Sequence, residues 1–313
     1  MPPSLPHLTL GLRSFAAEDP GDWSKMFDFA RAADVAGVDR LVVSDHVVFG
    51  EHLEEYANPK TGGLAGGKQP TGPDGHWLEP LTTLSVVAGM TRRIRLRTQI
   101  IIAALRRPVV LAKAAATLDV LSGGRLDLGV GVGWQRAEYE AAGLSFEGRG
   151  RLLDHTLDVC QTLWRDSRAT YNSPELNFDA IHQMPKPLQT GGVPIWTSGT
   201  VRNTTARRIA KYGARWIPWG ADANNLVESI PRMKEAVDKE GGDIEDFQVV
   251  GALPLVRTAS GAIDIPHTMS RVPQLVDIGV TDFVEYSIVS KSYDETLAEL
   301  SELAVAFREA VGR

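Results

Sequence analysis

The feature that most constrains this chain is an order of segments: a short, nearly continuous apolar run, then a longer amphipathic run, repeated eight times along 313 residues. The strand-like runs are "HLTLGLR", "RLVVSD", "IRLRTQIII", "RLDLGVGVG", "VPIWTSG", "RWIPWG", "FQVVGALPLV" and "TDFVEYSI". Between them lie helix-like segments, from "DWSKMFDFARAADVAG", with Trp23, Phe27, Ala30 and Val35 near one face and Gly37 to close it, to "YDETLAELSELAVAFREAV" at the end. Strands that are apolar on both sides need cover on both sides. Helices supply it on one side and a closed interior on the other. The pattern predicts a single α/β domain over 1–313, a (β/α)8 TIM barrel, in preference to a doubly wound open sheet.

Two segments exceed the repeat. Residues 50–78, rich in Gly and Pro, follow the second strand, and residues 167–192 follow the fourth helix. Long loops in compact domains more often serve function than idle, so the first is expected to be a lid or a wall of a substrate pocket at the catalytic end. Thirty-three basic against 39 acidic side chains, net −6, without like-charge blocks, argue against a nucleic-acid or polybasic membrane surface and for a small-molecule partner. The opening "MPPSLPHLTLGLRSF" lacks a basic-then-apolar leader pattern, and no apolar run approaches membrane-spanning length, so a cytoplasmic location is expected. The single cysteine, Cys160, lies at a helical apolar position and is expected to pack in the core.

Chemistry in such barrels lies at the strand C-termini. There the second strand runs into Asp45 and His46 in "LVVSDHVVFG", which places both at the mouth, although a turn-capping aspartate and a packed histidine would read the same way. Around the same mouth fall "TQI", "GVGVGW" and "TSGT": glycines that admit a ligand close to the backbone (Gly131, Gly133), the aromatic Trp134, and Ser198, Gly199 and Thr200 ahead of a helix whose free amides can hold an anion. A plain helix cap is the alternative for the last three. Trp77, Trp134, Trp196 and Trp219 fall near strand ends or the long loop, and together they suggest an aromatic pocket for a flat or apolar substrate. "GVGVGW" fails the G-x-G-x-x-G fingerprint, and there is no phosphate-binding P-loop, H-E-x-x-H or G-x-S-x-G motif, nor histidine spacing that suggests a metal site.

The segments "LVVSDHVVFG", "WLEPLTTLSVVAGMTRRIRLRTQIII", "RRPVVLAKAAATLDVLSGGRLDLGVGVGWQRAEYEAAG" and "PIWTSGT" resemble the luciferase-like monooxygenase superfamily, and within it the coenzyme F420 (deazaflavin)-dependent oxidoreductases. The resemblance is continuous over about residues 8 to 165 and looser beyond, with "TLDVLSGGRLDLGVGVGW" its most specific part. It implies a (β/α)8 barrel, commonly homodimeric, with the deazaflavin across the strand C-termini and its phosphate near Gly199 and Thr200. Asp45 and His46 would stand beside the ring, His46 as proton donor or acceptor, and Gln99 and Ile100 would back the ring through a bulge with a cis peptide between them. Trp134 stands where sugar-phosphate dehydrogenases of the family carry a glutamate, and Gln135 where many relatives carry asparagine, so the resemblance leaves the substrate open. Hydride transfer balanced by a proton on a residue that titrates near neutrality is the chemistry implied. An FMN-dependent monooxygenase on the same fold, and a barrel that binds cofactor without turnover, are the alternatives.

Overall fold

The computed structural model describes residues 5–289 and 291–313. Eight parallel strands close a barrel: β1 (His7–Gly11), β2 (Arg40–Val43), β3 (Arg95–Thr98), β4 (Leu126–Val130), β5 (Ile195–Gly199), β6 (Arg215–Pro218), β7 (Gln248–Ala252) and β8 (Asp282–Glu285), the last pairing back on β1. The main helices are α1 (Ser24–Ala36), α2 (Pro80–Met90), α3 (Pro108–Ser122), α4 (Arg149–Arg165), α5 (Asn203–Tyr212) and α6 (Leu226–Lys239). They are followed by two six-residue pieces in the seventh position, α7 (Ile265–Ser270) and α8 (Val272–Asp277), and by α9 (Tyr293–Ala310). The expected barrel is therefore present, with its seventh helix broken at Arg271 by the turn into Val272–Pro273.

Local chemistry explains the boundaries. Gly37 and Gly123 end α1 and α3 in the left-handed conformation that a side chain resists. Ser292 and Glu295 form a reciprocal capping box at the start of α9. The buried face of α1 is Met26, Phe29, Ala30 and Ala33; Val35, expected on that face, is exposed, because at roughly 100° per residue it lies about half a turn round the helix from Met26. Cys160 is fully buried, its Sγ 3.7 Å from the Pro108 carbonyl, and burial pushes the thiol well above its ordinary range.

The strand period of two sorts the barrel interior into levels. Nearest the N-terminal end, Arg40 and Asp127 join Arg97 and Asp282 in a buried charge cluster, with Arg97 Nη2 3.0 Å from Asp282 Oδ1 and Arg40 Nη2 3.1 Å from Asp127 Oδ2. Burial alone would raise the Asp127 carboxyl, but Arg40 and Arg95 hold it below the ordinary carboxylate range. Above the charges lies a plug of Val42, Trp196, Ile217, Val250 and Val284. The guanidinium carbons of Arg97 and Arg40 stand 4.4 and 5.1 Å from the Trp196 ring centre.

Neither long insertion is structureless. Residues 50–78 contain a 3-10 turn (Leu53–Ala57) and the two-residue strand His76–Trp77, paired antiparallel with Phe15–Ala16. Residues 167–192 form a hairpin, Ala169–Asn172 against Asn177–Ile181. Among the described residues, no helix is long and apolar enough to cross a membrane.

Candidate active site

Asp45 and His46 leave β2 on opposite sides. The Asp45 carboxylate is fully buried behind the strand, accepting the Ile102 N–H at 2.8 Å and a two-pronged guanidinium from Arg106 at 2.6 and 2.9 Å. The expectation that both side chains point into the mouth is thus corrected for Asp45. Its parity is that of outward-facing Val43, and it braces the segment after β3 rather than facing a ligand.

His46 has the parity of inward-facing Val42 and lies among rings: Phe49 at 4.4 Å between centres, Trp77 at 4.9 Å and Trp134 at 5.9 Å. Its Nδ1 stands 3.5 Å from Glu138 Oε2, and its Nε2 3.2 Å from the Gln69 amide nitrogen. Trp77 is itself fixed, stacked on Phe15 at 4.5 Å with its Nε1 donating to Thr71 at 2.9 Å. Tyr56, from the long insertion, bridges Trp134 at 5.4 Å and Trp219 at 6.3 Å, and Trp219 donates to the Gly62 carbonyl at 2.9 Å. Arg149 of α4 donates to the Thr61 carbonyl at 2.8 Å, and the Gly50 N–H donates to Gln135 Oε1. The insertion is therefore pinned across the mouth as a wall, as its place after β2 suggested. It encloses a groove of about 670 Å³ whose lining includes Ala17, Leu53, Ala57, Pro70 and Gln69.

Three of the four expected pocket tryptophans, Trp77, Trp134 and Trp219, join this aromatic arc. Trp196 does not. It is 1% exposed inside the plug, two residues and so roughly 7 Å below Ser198 along β5, and it forms the floor rather than a wall.

Above the Trp196 floor the inward strand-end positions are small. Gly11, Gly131, Ser198 and Ala252 share the inward parity at the strand ends. A Cβ on Gly131 would lie 2.9 Å from Ile100 Cδ1, and one on Gly11 would lie 2.2 Å from the Tyr286 ring. Gly133, at φ +67, turns the chain beside Ile102. The Gln99–Ile100 peptide is cis, as the resemblance implied. Gln99 accepts from Arg97 and donates to Tyr286 Oη at 2.6 Å, which links the mouth to the charged layer below.

At the expected anion turn, Gly199 ends β5 and Thr200 follows it, while α5 starts at Asn203 with Arg202 as cap, no side-chain cap and no acid in its first turn. A Cβ on Gly199 would lie 2.8 Å from Thr205 Oγ1, so the backbone there runs bare against the helix. One amide is taken: the Val201 N–H donates to Asp222 at 2.7 Å.

Sequence reasoning missed Glu138, Gln69 and Tyr286. Glu138 sits in a six-residue helix, Arg136–Ala141, too short to show a period, and its side chain is fully buried. Gln69 lies in irregular chain, and Tyr286 just past β8.

The closed eight-stranded parallel barrel with its covering helices defines the (β/α)8 fold class, and comparison with known proteins gives this chain its family within it. The luciferase-like monooxygenase model matches residues 8–262, and the chain belongs to that family. An uncharacterized protein of Mycobacterium tuberculosis is 27% identical over 283 residues, covering 88% of this chain and 91% of the relative. An F420-dependent glucose-6-phosphate dehydrogenase of Kineococcus radiotolerans is 28% identical over 241 residues, 75% of this chain and 64% of the dehydrogenase. Among solved structures, the oxygenating constituent of 3,6-diketocamphane monooxygenase from Pseudomonas putida, in complex with FMN, shares the fold at a TM-score of 0.71 and 13% identity, covering 99% of each chain. The family thus includes both F420-dependent and FMN-dependent enzymes, and the chain is an oxidoreductase or monooxygenase at the family level.

Proposed function

We propose that this chain is a coenzyme F420-dependent oxidoreductase that moves a hydride between the deazaflavin and a small, flat or apolar organic substrate. The observation that carries the reading is His46. It is the imidazole at the catalytic end of the barrel, with Nε2 turned toward the insertion and its ring walled by Phe49, Trp77 and Trp134.

The residues fit a flat cofactor with a phosphate arm. Above Trp196 the inward positions Ser198 and Ala252 are small, while Gly11 and Gly131 already take the Tyr286 ring and the Ile100 side chain against their backbone, so Tyr286, Gln99 and Ile100 would border a flat ring there. The start of α5 beyond Gly199 and Thr200, with no side-chain cap, offers its free amides to a phosphate, beside a Val201 N–H that Asp222 already holds. A deazaflavin, when bound, supplies a two-electron hydride at a ring carbon. His46 gives or takes the proton that balances it, and the aromatic arc excludes water from that exchange. The groove is lined by Leu53, Ala57 and Pro70 with Glu54, Lys68 and Gln69 among them; its apolar part suits the body of a substrate, and Gln69 connects it to His46. Asp45 contributes indirectly, by holding the β3 segment through Ile102 and Arg106.

The deazaflavin is preferred over FMN because a relative with a stated activity, 28% identical over 75% of this chain, is F420-dependent. The FMN reading draws on the shared fold. Titration of the purified protein with each chromophore, followed by fluorescence quenching, separates them. Tighter deazaflavin binding is expected, and equal or tighter FMN binding overturns the choice.

A further inference from the structure

We propose that Glu138 is a positioning residue that holds the His46 ring in its Nδ1–H tautomer and so makes Nε2 the working nitrogen. Its catalytic consequence rests on the reading of His46 given above, while the tautomer itself follows from geometry.

Glu138 is buried completely, and its two oxygens are treated differently. Oε1 accepts the Val47 N–H at 2.6 Å; Oε2 has no hydrogen-bond donor and stands 3.5 Å from His46 Nδ1, which is itself buried without a hydrogen-bond partner. A buried carboxylate oxygen left without a proton facing it is costly, and the imidazole is the group placed to offer one. A carboxylate only accepts, so the proton must be on Nδ1. The other edge of the ring agrees. His46 Nε2 faces the Gln69 amide nitrogen at 3.2 Å, a contact that is favourable only if Nε2 carries the lone pair and the amide donates. Turning the Gln69 amide over would require a proton on Nε2, and a neutral ring would then set the Nδ1 lone pair against the Glu138 carboxylate. The backbone reinforces the arrangement. Val47 follows His46 directly, so one carboxylate grips both the main chain and the ring of adjacent residues, and Gln135, three residues before Glu138, accepts from Gly50 of the same loop. This is the logic by which an acidic residue orients a catalytic imidazole in a triad, built here between β2 and the short helix after β4.

The test is nitrogen-15 NMR of the histidine rings in protein without cofactor, at a pH where the spectrum shows a single neutral ring form. The His46 signals are assigned by their loss in His46→Gln. The expected result is a protonated Nδ1 and an unprotonated Nε2. In Glu138→Gln, the Val47 N–H still requires the carbonyl oxygen, so the amide nitrogen must face Nδ1 and the tautomer should reverse. Turnover of that variant should fall by roughly 100- to 10,000-fold with KM little changed, and Glu138→Asp should keep the native tautomer. A wild-type ring protonated on Nε2 overturns the proposal even if no variant folds. So does a Glu138→Gln protein that keeps the wild-type tautomer, whether or not its turnover falls. Failure of the F420 reading would appear separately, as absent hydride transfer in wild-type protein, and would leave the tautomer result intact.

Discussion

At the N-terminal end of the barrel, Arg40, Arg97, Asp127 and Asp282 face one another beneath Trp196; at the mouth, His46 faces Glu138 beneath an arc of aromatic rings. Both places bury charge or potential charge. In the first, guanidinium groups meet carboxylates beneath the tryptophan ring, and of these side chains Arg97 reaches upward, through its donation to Gln99. In the second, the imidazole holds one nitrogen toward a buried carboxylate and the other toward the Gln69 side-chain amide of the long insertion. One end stores its electrostatics in structure, and under the proposed function the other supplies the proton that accompanies hydride transfer.

The comparison breaks first at His46. His46→Ala should lower turnover by roughly 100- to 10,000-fold while cofactor affinity stays nearly unchanged, the scale of general acid–base catalysis. Single-turnover hydride transfer on the folded variant, beside a deazaflavin titration, measures both. Unchanged turnover would make His46 a wall of the pocket and would remove the functional contrast between the two ends.

The opposite signature is expected in the charge layer at the N-terminal end. Asp282 accepts from Arg97 and pairs with Arg40, and its removal leaves two buried cations with one carboxylate less. Asp282→Ala should cost about 3 to 5 kcal/mol of stability, read as a lower urea midpoint, with turnover per folded molecule close to wild type. A variant of normal stability and poor turnover would show that the charge layer reaches the chemistry through Arg97 and Gln99.

How far this division was legible in the sequence depends on what local signal each residue carried. The eight-fold alternation specifies the barrel because each strand must be covered on both faces, and the position of "DH" at a strand end places His46 at the mouth. The same alternation also carried a signal that the reading of Asp45 passed over. Counting by twos from buried Val42 puts His46 inward and Asp45 outward, where Arg106 waits. Trp196 was misplaced for a related reason: parity gives its direction but not its depth, and two residues down the strand are enough to sink it into the plug. Glu138 and Gln69 had no local signal. One sits in a helix of six residues and the other in irregular chain, and only tertiary folding brings both to the same ring.

The smallest expected effect concerns the other histidine of the barrel interior. His7 opens β1 at the floor, and burial, reinforced by the cations of Arg40 and Arg313 against the opposing pull of Asp39 and Asp127, pushes it down to about 4. An unfolded histidine titrates near 6.5. Above that pH the ring is neutral in both states and contributes nothing to pH dependence. As pH falls from 6.5 toward 4, the unfolded chain takes up a proton that the folded barrel refuses, so stability is lost across that window and the loss levels off below it. Because His7 is only partly buried, the effect should be on the order of 1 kcal/mol. Urea midpoints measured between pH 7 and 4 should therefore decline less steeply in His7→Gln than in wild type. Equal slopes would mean that the floor accommodates a protonated imidazole, and the two ends of the barrel would then differ less in their electrostatics than their geometry indicates.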